Sequence, residues 1–123
     1  MWAVVKVNKK KINFFKEDFL KNFDKTFKVY IPKIRIENFN KKKIANNKAY
    51  EISILGDYIF CFHEAFRLPS KINLIKKFRG LKLLLSGFVE NQKEIINFIE
   101  KCKTHEDKNG YLLQNFFEKT SSL

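Results

Sequence analysis

Trp2-Ala3-Val4-Val5-Lys6-Val7 opens the chain with residue types that fit a pleated, half-buried surface, and the run is predicted to be a strand. From Lys11 to Phe23 the apolar positions Ile12, Phe15, Phe19 and Phe23 recur at steps of three or four, with Lys and Asp between them, which predicts an amphipathic helix. Phe27 to Ile31 returns to a strand pattern and stops at Pro32, which has no N–H to give to a central ladder. Lys33 to Phe39 alternates, with Ile34 and Ile36 set between polar residues, so a third extended segment follows. Asn40 to Lys48, including Lys41-Lys42-Lys43 and Asn46-Asn47, has the composition of a solvated hairpin tip. Tyr50 to Phe62 is the strongest strand signal and is broken only at Gly56-Asp57.

Pro69-Ser70 predicts a helix start with Ser70 as the cap, Ile72, Ile75 and Phe78 on one face, and Gly80 as the stop. Leu83-Leu84-Leu85 through Phe88-Val89 is expected to be the last strand. Asn91 and Glu94 have capping-box spacing ahead of Ile95, Ile96, Ile99 and Cys102, predicting a helix from Gln92 to Lys103. Leu112, Leu113, Phe116 and Phe117 then have helical spacing behind a turn at Asn109-Gly110, as a short docked helix would. The order β-α-β-β-β-α-β-α with short connections implies an α/β sandwich, one largely antiparallel sheet with helices packed on it.

A chain of 123 residues suits one domain, and its 45% apolar content, with 14 Phe, supplies a core without metal or disulfide. Cys61 and Cys102 lie in apolar stretches, outside any CxxC or Cys/His spacing, and are expected to be reduced core residues. No apolar run approaches the ~18–20 residues of a membrane helix, and the lysine-broken start lacks a signal peptide's apolar centre. A soluble cytoplasmic protein is expected. The formal net charge of +12 favours polyanionic partners, nucleic acid first. Only Arg35, Arg67 and Arg79 among the 25 basic residues are not Lys, and the abundance of Lys, Asn, Ile and Phe is also what AT-rich coding leaves behind. Charge alone therefore does not decide the partner.

Catalytic chemistry has little to work with. His63 and His105 are the only histidines, His63-Glu64 lacks the second His of a zincin, and no Gly-rich phosphate loop occurs. A non-enzymatic protein without cofactor or metal is expected.

The assembled segments resemble the N-terminal (NGN) domain of the NusG family of transcription elongation and antitermination factors. That family begins with a Trp-Tyr-Val-Val-like strand, similar to Trp2-Ala3-Val4-Val5; an amphipathic helix and a Val-Phe-Val-Pro-like strand follow, similar to Lys28-Val29-Tyr30-Ile31-Pro32. Its Leu-Phe-Pro-Gly-Tyr-Val-Phe-Val block resembles Ile54-Leu55-Gly56-Asp57-Tyr58-Ile59-Phe60-Cys61, and its later segment resembles Arg79-Gly80-Leu81 and Leu84 to Val89. Gly56 stands where Pro is usual, and Leu55 where an aromatic is usual. The resemblance implies an α/β sandwich with a largely antiparallel four-stranded sheet flanked by about three helices. It covers an NGN-like domain over residues 1–103, leaving 104–123 as a tail, and the KOW barrel of NusG proteins is not in the sequence.

By this resemblance the protein binds the clamp helices of RNA polymerase's largest subunit, promotes processive elongation and is a monomer when free. The polymerase-binding positions carried over are Leu55, Tyr58 and Phe60, with Phe88 on the last strand and Ile95 and Ile99 on the following helix as cavity walls. Lys41, Lys42, Lys43 and Lys48 on the hairpin, with Arg79, are the candidate contacts to upstream DNA phosphates. Two alternatives remain open: a free-standing RRM-like single-stranded nucleic-acid-binding module, and an inhibitor protein that uses the NGN surface against polymerase.

Overall fold

Strand β1 (Trp2–Val7) alternates as the sequence predicts, with Ala3, Val5 and Val7 fully buried and Trp2, Val4 and Lys6 half-buried on the opposite face. The structure, a computed structural model, describes residues 1–37 and 49–121. Helix α1 (Ile12–Asn22) follows a short 3-10 turn capped by Asn8, and buries Phe15 and Phe19. Then come β2 (Lys28–Tyr30), a hairpin of β3 (Lys33–Glu37) and β4 (Ala49–Ser53), and β5 (Tyr58–Phe62). Helix α2 (Pro69–Ile75), β6 (Leu81–Leu84), α3 (Gln92–Thr104) and α4 (Gln114–Ser121) complete the order.

The main sheet is four-stranded, ordered β2-β5-β1-β6, and every neighbouring pair is antiparallel. β1 and β2 are therefore parallel with β5 between them, and β5 and β6 are parallel with β1 between them. These are two interleaved split β-α-β units, the ferredoxin-like arrangement, with α1 and α2 as the crossovers. The chain is an α/β sandwich: α1 and α2 cover the face of Ala3, Val5, Ile59 and Cys61, and α3 lies across the other. β3 and β4 form a separate two-stranded sheet inserted between β2 and β5.

The core under α1 and α2 is aromatic. Among the described residues Phe19 has five ring neighbours, Phe15, Phe23, Phe27, Phe66 and Phe78, with centroids 5.0 to 6.1 Å away in stacked, tilted and edge-on arrangements. Such geometries satisfy the ring quadrupoles while burying large side chains. Both cysteines are free and buried. Cys102 sits in a smaller cluster with Leu112 and Phe116, which ties the C-terminal segment to α3 and to Ile34 and Ile54 at the base of the hairpin. Leu112 donates its N–H to the Lys33 carbonyl at 2.9 Å, so that segment runs along the edge of β3.

The expected last strand over 83–89 is corrected at both ends. β6 spans Leu81–Leu84, and the last ladder bond is Leu85 N–H to the Val4 carbonyl at 3.0 Å. Gly87 at φ +83° then turns the chain, in a backbone region open to glycine and strained for other residues. Phe88 consequently lies in the turn between β6 and α3 and not on a strand. The Asn91–Glu94 capping box does not form, because the Asn91 side chain turns back to the Gly87 carbonyl at 2.7 Å.

Ser70 does not cap α2 either. Pro69, lacking an N–H, takes the first helical position, and Leu68 is the cap. The helix ends at Ile75, where bonds from Lys77 to Leu74 and from Phe78 to Ile75 tighten the chain. Phe78 is buried from that tighter turn.

Candidate interaction surface

On the α3 face of the sheet, β1 and β5 present Val4 opposite Phe60 and Lys6 opposite Tyr58. Ile95, Phe98 and Ile99 are spaced at three and four residues on α3, and Phe98 meets the Phe60 ring at 5.9 Å. Phe60 also stacks on Tyr30 at 6.4 Å and receives the edge of Trp2 at 6.5 Å. With 5% of its surface exposed, Phe60 is a core residue that positions α3. Ile99, at 3%, shares that role.

Next to this packed centre, the turn after β6 leaves a cleft of about 180 Å³. Val4, Leu85, Phe88 and Ile95 line it with apolar side chains, beside Ser86, Gly87 and Asn91. Two residues near it in sequence are apolar and open to solvent, Leu83 at 47% and Val89 at 54%. The cleft thus unites Phe88 and Ile95 of the sequence-derived residues. Tyr58 lies one pleat further along the same face, half-buried, with Lys6 Nζ 5.8 Å from its ring centroid. Leu55 belongs to the turn before β5, half-buried against the main core, where Gly56 adopts φ +64°.

α3 is fixed at its start by Gln92. Its carboxamide accepts the Trp2 N–H at 2.9 Å and donates to the Trp2 carbonyl at 2.6 Å and the Phe88 carbonyl at 2.7 Å. One side chain therefore locks helix, strand and cleft wall together. Sequence reasoning missed Gln92, Val4 and Leu85 as parts of this site: a polar residue in a first helical turn carries no mark of a backbone partner 90 positions away.

Arg79 does not stand free toward solvent. Its guanidinium bonds Asp18 at 2.9 Å and Glu17 at 3.3 Å, lies 4.7 Å from the Phe14 ring centroid, and its backbone N–H also donates to Asp18. The hydrogen bond from Arg79 holds the Asp18 carboxyl below its ordinary range. Arg79 acts as a clip between α1 and the turn before β6. Lys41, Lys42, Lys43 and Lys48 lie outside the described residues.

No protein-family model matches the chain, and no curated protein sequence matches it.

Three further polar groups have defined partners. Tyr30 donates to Glu106 at 2.6 Å, and burial, reinforced by that bond, pushes its phenol far above the ordinary value. The buried His63 ring accepts the Ala65 N–H at Nδ1 and faces Asp24 with Nε2, so both nitrogens are engaged and neither is open to a substrate. Burial likewise pushes the Cys61 thiol up, out of reach of a nucleophile's range. Among the described residues no group of three or more His, Cys, Asp or Glu is arranged to hold a metal, and no helix is long and apolar enough to cross a membrane.

Proposed function

We propose that this chain is a non-catalytic, NusG-like transcription elongation or antitermination factor that seats an apolar knob of RNA polymerase, the tip of its clamp helices, in the cleft between β1, the turn after β6 and α3. The observation that carries this is the cleft itself: about 180 Å³, lined by Val4, Leu85, Phe88 and Ile95, with the exposed Leu83 and Val89 near its lining residues in sequence. Apolar anchors entering such a desolvated pocket commonly dominate interface energy. Its lining includes two of the positions to which the resemblance carries polymerase binding, Phe88 and Ile95. A chain that grips the clamp helices there and meets phosphates elsewhere bridges two sides of the polymerase and favours its closed, processive state by differential binding alone. Cytoplasmic location follows from this role.

An RRM-like use of the sheet has less support. Such modules stack bases on an open sheet face, whereas here α3 covers the centre of that face and Phe60 lies beneath it.

The test is retention of RNA polymerase on the immobilised chain, wild type against Leu83→Glu with Val89→Glu. Both side chains are exposed, so folding is expected to be intact by melting and circular dichroism. Retention should fall by roughly tenfold or more, the loss of one apolar hot spot. Equal retention of polymerase by a folded double variant overturns the proposal.

A further inference from the structure

A second hollow, of about 280 Å³, lies between the start of β1, the end of β5, the turn after it and the first turns of α3. Trp2 and Phe62 are paired across the two strands, with ring centroids 5.3 Å apart and both rings half-buried, so each keeps open surface. Ile96, 39% exposed, stands on the α3 side. The hollow is smaller than the ~300–1,000 Å³ of sites for drug-sized ligands and suits a single planar ring.

The polar groups around it say what kind of ring. Lys28 Nζ lies 5.4 Å from the Phe62 ring centroid. Arg67 lines the hollow with 70% of its side chain exposed, and its ion pair with Glu64 is loose, at 3.9 Å. Two cations against one carboxylate leave a positive rim on a chain of net charge +12. The Gln92 amide, also in the lining, has both its N–H groups committed to the Trp2 and Phe88 carbonyls and donates nothing to a ligand edge.

We propose that this hollow accepts one unpaired base of a single-stranded nucleic acid, stacked against Trp2 and Phe62, with the flanking phosphates met by Lys28 and Arg67. Aromatic stacking accepts any base because every base has a π-face, and cations track the backbone. A base inside a duplex is not available to such a pocket without being taken out of its stack. Binding is therefore selective for single strands and nearly indifferent to sequence. The hollow is separate from the Val4–Phe88 cleft, and this site stands whether or not polymerase is the partner.

Trp2 is the only tryptophan, so its fluorescence reports the site directly. The full chain is titrated with a short oligothymidylate, with oligouridylate, with the same thymidylate annealed to its complement, and with an acidic peptide containing one Phe. Either single strand is expected to quench Trp2 saturably, with an affinity that falls steeply as salt rises. Whichever of the two binds tighter identifies DNA or RNA as the source. The duplex should bind at least tenfold more weakly to this site. Ile96→Glu, at an exposed position, should weaken the quench at least tenfold without lowering folding, and Arg67→Gln should weaken it several-fold. Absence of quenching by both single strands, equal quenching in Ile96→Glu, or quenching by the peptide alone overturns the assignment.

Discussion

His63 Nε2 lies 2.9 Å from Asp24 Oδ1 while its Nδ1 accepts the Ala65 N–H, so one buried ring joins the loop between α1 and β2 to the segment after β5. Thr26 completes the junction by donating its hydroxyl and its backbone N–H to Asp24.

That junction carries a pH signature. Bonds from Thr26 first and His63 second hold the Asp24 carboxyl down to about 2. The folded value is below the ~3.9 of an unfolded Asp, so the contribution is complete above that value and is lost as pH falls through it toward the folded one. Melting temperature measured between roughly pH 6 and pH 2 should drop less steeply in Asp24→Asn than in wild type. Parallel curves would remove Asp24 from the account of acid stability.

Gly80 and Gly56 both have positive φ, yet substitution should separate them. A Cβ on Gly80 would come within 3.0 Å of the Lys11 carbonyl oxygen, whereas Gly56 has open space around it. Gly56→Ala should cost only the left-handed backbone penalty, about 1–2 kcal/mol. Gly80→Ala adds a collision with backbone and should cost more. Urea denaturation of the two variants gives the order, and equal costs would show that Lys11 yields freely.

Phe19 is the hub of the aromatic core, fully buried among five rings. Phe19→Ala should destabilise by about 3–5 kcal/mol, a large share of the ~5–15 kcal/mol that holds a domain together. Phe19→Leu, which leaves a smaller void, should lose less. Denaturant midpoints at constant m-value check both.

Much of this fold was legible in the sequence because two periods dominate it. The alternation in Trp2–Val7 and the three-four spacing of Phe15, Phe19 and Phe23 each state which face is buried, and β1 and α1 form as expected. The run from Leu83 to Val89 carried no such information: a continuous apolar stretch does not separate strand from turn, and Gly87 decided for the turn. The candidate site was half legible for the same reason. Phe88 and Ile95 announced themselves as large apolar residues, but their cleft exists because of that turn and the Gln92 bonds, both products of tertiary pairing.

The lysines between Glu37 and Ala49 in the sequence offer a charge test with an internal contrast. Joint replacement of Lys41, Lys42, Lys43 and Lys48 by Gln is expected to keep the fold while lowering affinity for an elongation complex with upstream duplex, most at low salt. Arg79→Gln should do the reverse: lose melting temperature, because Asp18 and Glu17 lose their partner, and keep DNA affinity. Binding compared on long and truncated upstream DNA decides. A lysine defect that persists without the duplex, or an Arg79 variant that melts like wild type and binds DNA weakly, reverses these roles.

The Gln92 carboxamide has one more effect. β6 is only four residues long, so β1 extends past it with the Trp2 N–H and carbonyl directed outward, where the strand of another molecule would pair. Gln92 fills both positions with the bond pattern of a strand residue and closes that border. A chain this rich in phenylalanine and short of acidic residues thereby keeps one template for intermolecular aggregation out of reach, using a single side chain that also begins a helix.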